Sequence, residues 1–436
     1  MSKNLITIIS FFILLIFFIN GFSATYRAHT MTNLAYVLAI GIDVGENAKL
    51  KVSAQFSKSG IFSSGSSSND SDDSIVLVSD EANSIVSCIN LLNAYIGKEL
   101  NLAHCSLIVF SEDIARQGIS EEIYTLMNNE EIRPSTNIVI SKCDAYDYIG
   151  NIKPNLEKLT VQYYETFSIT NKFTGYFPDI TLGNFFNTVS CDHCNSTAIL
   201  GGLNLTSREK KSNDSSSSED SSSSSDSSNN EDNSTIDQNV ITNSENLVAG
   251  SSTIRGNRGT ENLGVAVFKD DKMYGELTAI ETICHLLIQN SLKSCIITID
   301  SPINNSDSKC ELSISPVKDS KSVVSIDNDV PQIYLNFYLV ADILTLNKDT
   351  NYESEEILNL FSEKATEYMN KKFYEYLNKM SKEYNTDIDN FSHKALTNFS
   401  TLSEWNNFNW NEKFKNANFH VDIDLNVVST LLLTET

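Results

Sequence analysis

The chain has 436 residues and a formal net charge of −24. That length exceeds what one hydrophobic core supports and points to two or three domains of roughly 100–200 residues each. A surface so acidic repels phosphates and anionic lipid headgroups, which argues against nucleic acid as a partner. Eight acids and no Lys or Arg fall between Ser212 and Gly250, and setting them aside leaves −16 on the rest.

The chain opens on a segment made to meet a membrane. Lys3 precedes the uncharged run LITIISFFILLIFFI, Leu5 to Ile19, and the small, weakly polar Gly21-Phe22-Ser23-Ala24-Thr25 follows. A basic start, an apolar core of about 7–15 residues and a small-residue exit make an export signal. Leu5 to Ala24 also just reaches the roughly 20 apolar residues of a spanning helix. Residues 1–24 are therefore a cleaved signal or an uncleaved anchor, and both place residues 25–436 outside the cytoplasm.

Asn33 to Asp43 reads as a buried strand, and Lys49 to Phe56 alternates in polarity, so the two predict a hairpin. Ser57 to Asp73 is a Ser- and Gly-rich loop. Ser79 or Asp80 is expected to cap a helix through Ile96, stopped by Gly97. A strand from His104 to Phe110, a helical region capped by Ser111 and broken at Gly118, and a strand over Thr136 to Ser141 follow. Asp144 to Ile149 and Asn155 to about Ile169 have helical character. The alternation predicts a mixed α/β (α+β) domain over residues 25–205.

Residues 206–261 read as a linker. Its centre, Ser212 to Ser234, has no apolar residue to offset the entropy of ordering. The second half, 262–436, is again α/β. It has strands at Leu263–Phe268, Cys295–Ile299 and around Ile333–Val340, with a turn at Lys269–Lys272. Helices are expected over Thr278–Asn290 and from Ser354 to about Lys382. Leu358, Phe361, Ala365, Met369, Phe373, Tyr376 and Met380 form the apolar stripe of the long helix. The last strand buries Phe419, Val421, Ile423, Leu425 and Val427 and turns His420, Asp422 and Asp424 outward.

No catalytic constellation emerges. Nucleophile elbow, phosphate loop and dinucleotide-binding glycines are all missing. His104 and Cys105 are adjacent strand residues that point to opposite faces, so they do not form a pair. Most of the eight cysteines lie in apolar patterns and read as small buried hydrophobes. Cys191-Asp192-His193-Cys194 is a local disulfide or two free thiols; a zinc site needs further ligands, and no second Cys/His cluster exists in the sequence. No cofactor and no metal are expected.

Four segments in order resemble the C subunits of bacterial spore germination receptors, the Ger(x)C family. NLAYVLAIGIDVGENAKLKVSAQF, with Gly41 and Asp43, is similar to that family's first hairpin. KELNLAHCSLIVFSEDIARQGISEEIYTLMNNEEIRPSTNIVISK follows its strand, helix, "eIR" step and strand, with Arg133 at the step. GVAVFKDDKMYGELTAIET matches a further segment through Gly264, Phe268, Lys272, Gly275, Glu281 and Thr282. YNTDIDNFSHKALTNFSTLSEWNNFNWNEKF resembles the C-terminal block through Asp387, Trp405, Trp410 and Phe414.

The resemblance implies several mixed α/β domains and a non-enzymatic subunit of a nutrient germinant receptor. Such a subunit works at the outer face of the spore inner membrane with A-type and B-type subunits, and its contact with the nutrient germinant is at most indirect. The competing reading is a generic membrane-anchored extracytoplasmic ligand-binding or sensor protein. Three departures stand out. Thr25 occupies the place of the family's lipidated Cys and has no thiol to take diacylglycerol, so no lipidation is expected and an uncleaved helix is the favoured anchor. Asn390-Phe391-Ser392 replaces a glycine pair. The acidic Ser tract is an insertion between the halves.

Overall fold

The structure, a computed structural model, describes residues 34–57, 75–153, 160–191, 194–206, 246–254, 256, 258–303, 308–345 and 354–429. The segment 1–24, Thr25 and the Ser-rich centre of the tract lie outside these residues. Among the described residues, no helix is long and apolar enough to cross a membrane.

The strand and helix alternation of the first half builds a nine-stranded sheet. Its strands are β1 (Leu34–Val44), β2 (Leu50–Ser57), β3 (Ile75–Ala82), β4 (Glu99–Asn101), β5 (Leu107–Ser111), β6 (Asn137–Ser141), β7 (Thr197–Leu203), β8 (Thr260–Lys269) and β9 (Lys272–Leu277). Their order is β3-β2-β1-β5-β6-β7-β8-β9, with β4 paired to β1. β1, β5, β6 and β7 run parallel, and antiparallel strands complete both edges. Parallel strands covered on both faces read as continuous apolar runs. Accordingly Ile108, Phe110, Ile138 and Ile140 enter one core, while Leu107, Val109 and Val139 enter another on the opposite face. The helices are α1 (Ile85–Ile96), α2 (Glu112–Gln117), α3 (Ser120–Met127), α4 (Ala145–Gly150), α5 (Thr160–Glu165), α6 (Phe167–Thr174) and α7 (Leu182–Val189).

Two local expectations are corrected. Ser79 and Asp80 do not cap a helix, because β3 pairs with β2 from Ile75 to Ala82 and takes both residues into its ladder. The cap of α1 is Ser84, whose side chain accepts from the Ser87 N–H at 3.2 Å, and Gly97 ends the helix in the left-handed region as expected. His104 lies before β5 rather than in it.

The second sheet comprises β10 (Cys295–Asp300), β11 (Lys309–Pro316), β12 (Lys321–Asp327), β13 (Val330–Ile343) and β14 (Asn418–Ser429). β13 pairs with β14 in parallel along one edge and with β11 and β12 along the other. Ile333, Leu335, Phe337 and Leu339 face inward as the alternation predicts, and so do Ile423, Leu425 and Val427. They pack on α8 (Ala279–Ile288) and α9 (Glu355–Asn378), whose stripe of Phe361, Ala365, Met369, Phe373 and Tyr376 is buried. The long helix differs at its end, where Lys379–Tyr384 widens into a π turn. Three short helices follow, α10 (Phe391–Ala395), α11 (Leu402–Phe408) and α12 (Trp410–Phe414).

The sheets do not divide the chain where the acidic tract does. β8 and β9 lie beyond the tract yet complete the first sheet, so the change of sheet falls after Leu277 and not at residue 262. The last part of the stretch read as linker is also packed. Ala249 is buried and its N–H donates to the Leu263 carbonyl at 2.8 Å, while Gly250 and Ser252 donate to Glu261 Oε1.

Gly264 makes the tightest demand on this arrangement. Its φ is +100°, and a Cβ there would stand 2.3 Å from the Leu277 carbonyl oxygen on β9. Gly264→Ala combines backbone strain with an overpacked strand pair, and it is expected to cost about 2–4 kcal/mol in denaturant unfolding of the full chain.

Candidate functional site

Gly275, Glu281, Asp387, Trp405 and Trp410, motif positions of the second half, gather near where the two sheets meet. Thr278 and Glu281 form a capping box at the start of α8, with the Thr278 N–H donating to Glu281 Oε2 at 2.8 Å. The same Glu281 carboxylate accepts from Lys379 Nζ, the first residue of the π turn, at 2.8 and 3.0 Å. Lys379 also donates to the Glu276 carbonyl at 3.0 Å. Burial alone would lower the Lys379 ammonium, but Glu281 and Tyr384 outweigh it and hold its pKa above the usual lysine range.

Gly275 on β9 faces the far end of the π turn. A Cβ there would stand 2.3 Å from the Tyr384 ring. Tyr384 Oη donates to the Glu276 carbonyl at 3.0 Å. The Glu276 carboxylate reaches back into the first half, 2.9 Å from Lys142 Nζ. The edge strand of one sheet is thus bolted to the long helix of the other.

Behind this contact lies a buried polar knot. Asp387 Oδ2 accepts from the Ser392 N–H at 2.7 Å and from Trp410 Nε1 at 3.1 Å, and Oδ1 accepts from the Phe391 N–H at 3.1 Å. Trp405 stacks near Trp410 with ring centroids 5.9 Å apart. Two residues on, Asp389 lies 2.8 Å from His285 Nδ1 and accepts from Tyr376 Oη at 2.7 Å. His285, Tyr376, Asp387 and Asp389 are all buried. Sequence reasoning placed Tyr376 in the buried stripe without its bond to Asp389, and it missed His285, Asp389, Lys379 and Tyr384. Only the helical spacing of His285 four residues after Glu281 hinted at one of them.

Asn390 explains how one departure from the family pattern is accommodated. It takes the left-handed conformation at φ 58° and ψ 34°, where glycine is easiest and asparagine is among the most tolerant alternatives.

A cavity of about 250 Å³ opens between the halves, lined by Asp179, Asn184 and Asn195 on one side and by His285, Gln289 and Asn390 on the other. Asn195 Nδ2 crosses at this level to the Asp387 carbonyl at 3.3 Å.

The remaining motif positions are dispersed and structural. Asp43 ends β1 and caps α4, accepting from the Ala145 N–H at 2.6 Å and the Tyr146 N–H at 3.1 Å. Its pKa is raised because burial outweighs those donors. Gly41 lets α4 approach, since a Cβ would meet Ile149 and Ala145 at 3.0 and 3.1 Å. Phe268 is buried edge-on to Phe185 at 4.9 Å. Arg133 is exposed, and its carbonyl closes a turn onto the Thr136 N–H. Cys105 is buried, its thiol pushed up to about 12, and His104 packs instead on Tyr36. Asp422 and Asp424 are exposed on β14. Of the alternatives for Cys191 and Cys194, the structure has the disulfide.

The knot carries a pH signature. Burial raises the Asp387 carboxyl from 3.8 to about 6, against the pull of its three N–H donors. Between those values the folded chain holds more protons than the unfolded one, so this group's contribution to stability falls as pH rises through the window. Unfolding measured from pH 4 to 7 is expected to show about 2 kcal/mol of such dependence from this group. Asp387→Asn removes that slope and also turns an amide N–H toward a donor, costing about 1–3 kcal/mol at neutral pH.

Comparison with known proteins accounts for this pattern. The model of the spore germination protein N-terminal domain matches residues 27–201. That of the spore germination B3/GerAC-like C-terminal domain matches residues 263–430. A solved structure described as the crystal structure of the GerBC protein shares the fold, with TM-score 0.50 and 14% identity over 89% of this chain and 96% of that one. No curated protein matches the chain. Two matched domains in the family's order, on a shared fold, place this chain in the Ger(x)C family of spore germinant-receptor C subunits, a non-enzymatic family.

Proposed function

We propose that the chain serves as the C subunit of a nutrient germinant receptor on the extracytoplasmic face of the spore inner membrane. It is held there by residues 1–24 and assembled with A-type and B-type subunits. It supplies surfaces rather than chemistry, and the nutrient germinant reaches it at most indirectly. The observation that carries this reading is where the motif positions fall. Gly275 and Glu281 fix one sheet against the other, Gly264 seats β9 on β8, and Asp387, Trp405 and Trp410 hold the terminal helices, so these positions serve packing instead of presenting a reactive group to solvent. Residues spent on such a joint support a rigid body that presents a fixed outline to neighbouring subunits.

The cavity between the halves favours a second reading, an anchored sensor that binds a small polar ligand directly. Deleting the gene in its sporulating host separates the two. The receptor reading expects spores that form normally but fail to germinate with at least one nutrient, and the intact gene restores the response. Normal germination with every nutrient would sink it.

The anchor has its own measurement. Intact-mass analysis of the protein from spore membranes is expected to find residues 1–24 retained and no diacylglycerol. A mature start near Ala24 would show a cleaved signal instead.

A further inference from the structure

The Cys191–Cys194 pair gains a partner that spacing along the chain does not reveal. His393, on α10, brings Nε2 to 3.7 Å from Cys194 Sγ across a sequence separation of 199 residues. One ligand atom from each of Cys191, Cys194 and His393 lies within 4.8 Å of the others. We propose that, in the dithiol state, these three residues bind a divalent metal ion of the zinc class.

The donor set and the spacing both suit that ion. Two thiolates and an imidazole are preferred zinc ligands, at about 2.3 Å for sulfur and about 2.0–2.1 Å for nitrogen. A tetrahedron with those bonds has sulfur–nitrogen edges of about 3.6 Å, close to the separation already present between Cys194 and His393. The Cα atoms of the two cysteines stand 5.4 Å apart, so the thiols separate to a tetrahedral edge by side-chain rotation alone. The pair is half-buried and His393 is exposed, which leaves an entry path and a fourth position for solvent.

The chemistry balances with a dithiol reductant. Two electrons and two protons pass from it to the disulfide; the Cys191–Cys194 bond breaks, and the reductant closes to its own disulfide. Metal binding then displaces the two thiol protons. The oxidised chain lacks both thiolate ligands, so the site exists only after reduction.

The position gives the site a structural consequence. Cys191 and Cys194 lie between α7 and β7, in the first half, and His393 lies in the second. Thr188 and Asn195, on either side of the pair, and Ile388 and Asn390, just before His393, all line the cavity between the halves. A bound ion ties together the two walls at that end of the cavity. This inference is independent of the receptor reading, because its test does not involve germination.

The test titrates the full chain in detergent with Co²⁺ after reduction with dithiothreitol and anaerobic desalting. The reduced chain is expected to bind one equivalent with thiolate-to-cobalt charge-transfer absorption, and Zn²⁺ is expected to displace it. The oxidised chain gives no such absorption. Cys191→Ser and Cys194→Ser abolish it, and His393→Ala, an exposed change compatible with folding, weakens Co²⁺ binding by about tenfold or more. The proposal is overturned by no absorption in the reduced chain, by unchanged affinity in His393→Ala, or by absorption that survives loss of both cysteines.

Discussion

The π turn can dock on β9 because Gly275 has no side chain, and the Tyr384 ring takes the space a Cβ would fill. Much of the second half is arranged around that contact. The turn starts at Lys379, where the ammonium meets Glu281 at the mouth of α8, and Tyr384 near its end grips the Glu276 backbone. A regular α-helix through Lys379–Tyr384 would advance these side chains by 100° per residue and separate the two grips. The wider turn lets one helix hold the capping box of α8 and the edge strand together. Glu276 then extends the hold to Lys142, beside β6.

The buried carboxylates behind the contact weaken the fold while defining it. Asp387 and Asp389 sit in the interior, and Asp389 adds to the forces that raise the Asp387 carboxyl. Apolar residues of similar size would often match or exceed the stability of such a cluster. What the carboxylates supply is direction. The donors on Asp387 tie the start of α10 to the Trp410 ring, and those on Asp389 tie α9 to α8. Each bond requires one placement of its partner, so the knot selects a single docking of the terminal helices.

Period and polarity made most individual elements legible. The β1–β2 hairpin, the buried rows of β5 and β6, the α9 stripe and the alternation of β13 and β14 all follow from local pattern. Failures came where a distant partner decides the outcome. Ser79 and Asp80 carry helix-cap chemistry, yet an antiparallel neighbour claims them for a strand. β8 and β9 follow the acidic tract in sequence but complete the sheet that precedes it. The resemblance marked Gly275, Glu281, Asp387 and both tryptophans, whereas only the spacing of His285 after Glu281 links it to them, and Tyr384 and Tyr376 have no local signal that does. Their roles come from contacts spanning 13 to 108 residues, which periodicity does not encode.

The acidic tract leaves the first sheet at the end of β7 and returns to it at the start of β8, where Leu203 and Thr260 are paired neighbours. Its two ends are therefore held side by side, whatever lies between them. In general, a connection whose ends are already held together adds only about 0.6 kcal/mol of closure entropy for each doubling of its length. Selection on folding thus barely senses how many residues the excursion contains. The Leu203–Thr260 pairing and the packed stretch around Ala249 and Gly250 hold the frame on either side, so the length of the excursion is not what keeps the sheet together.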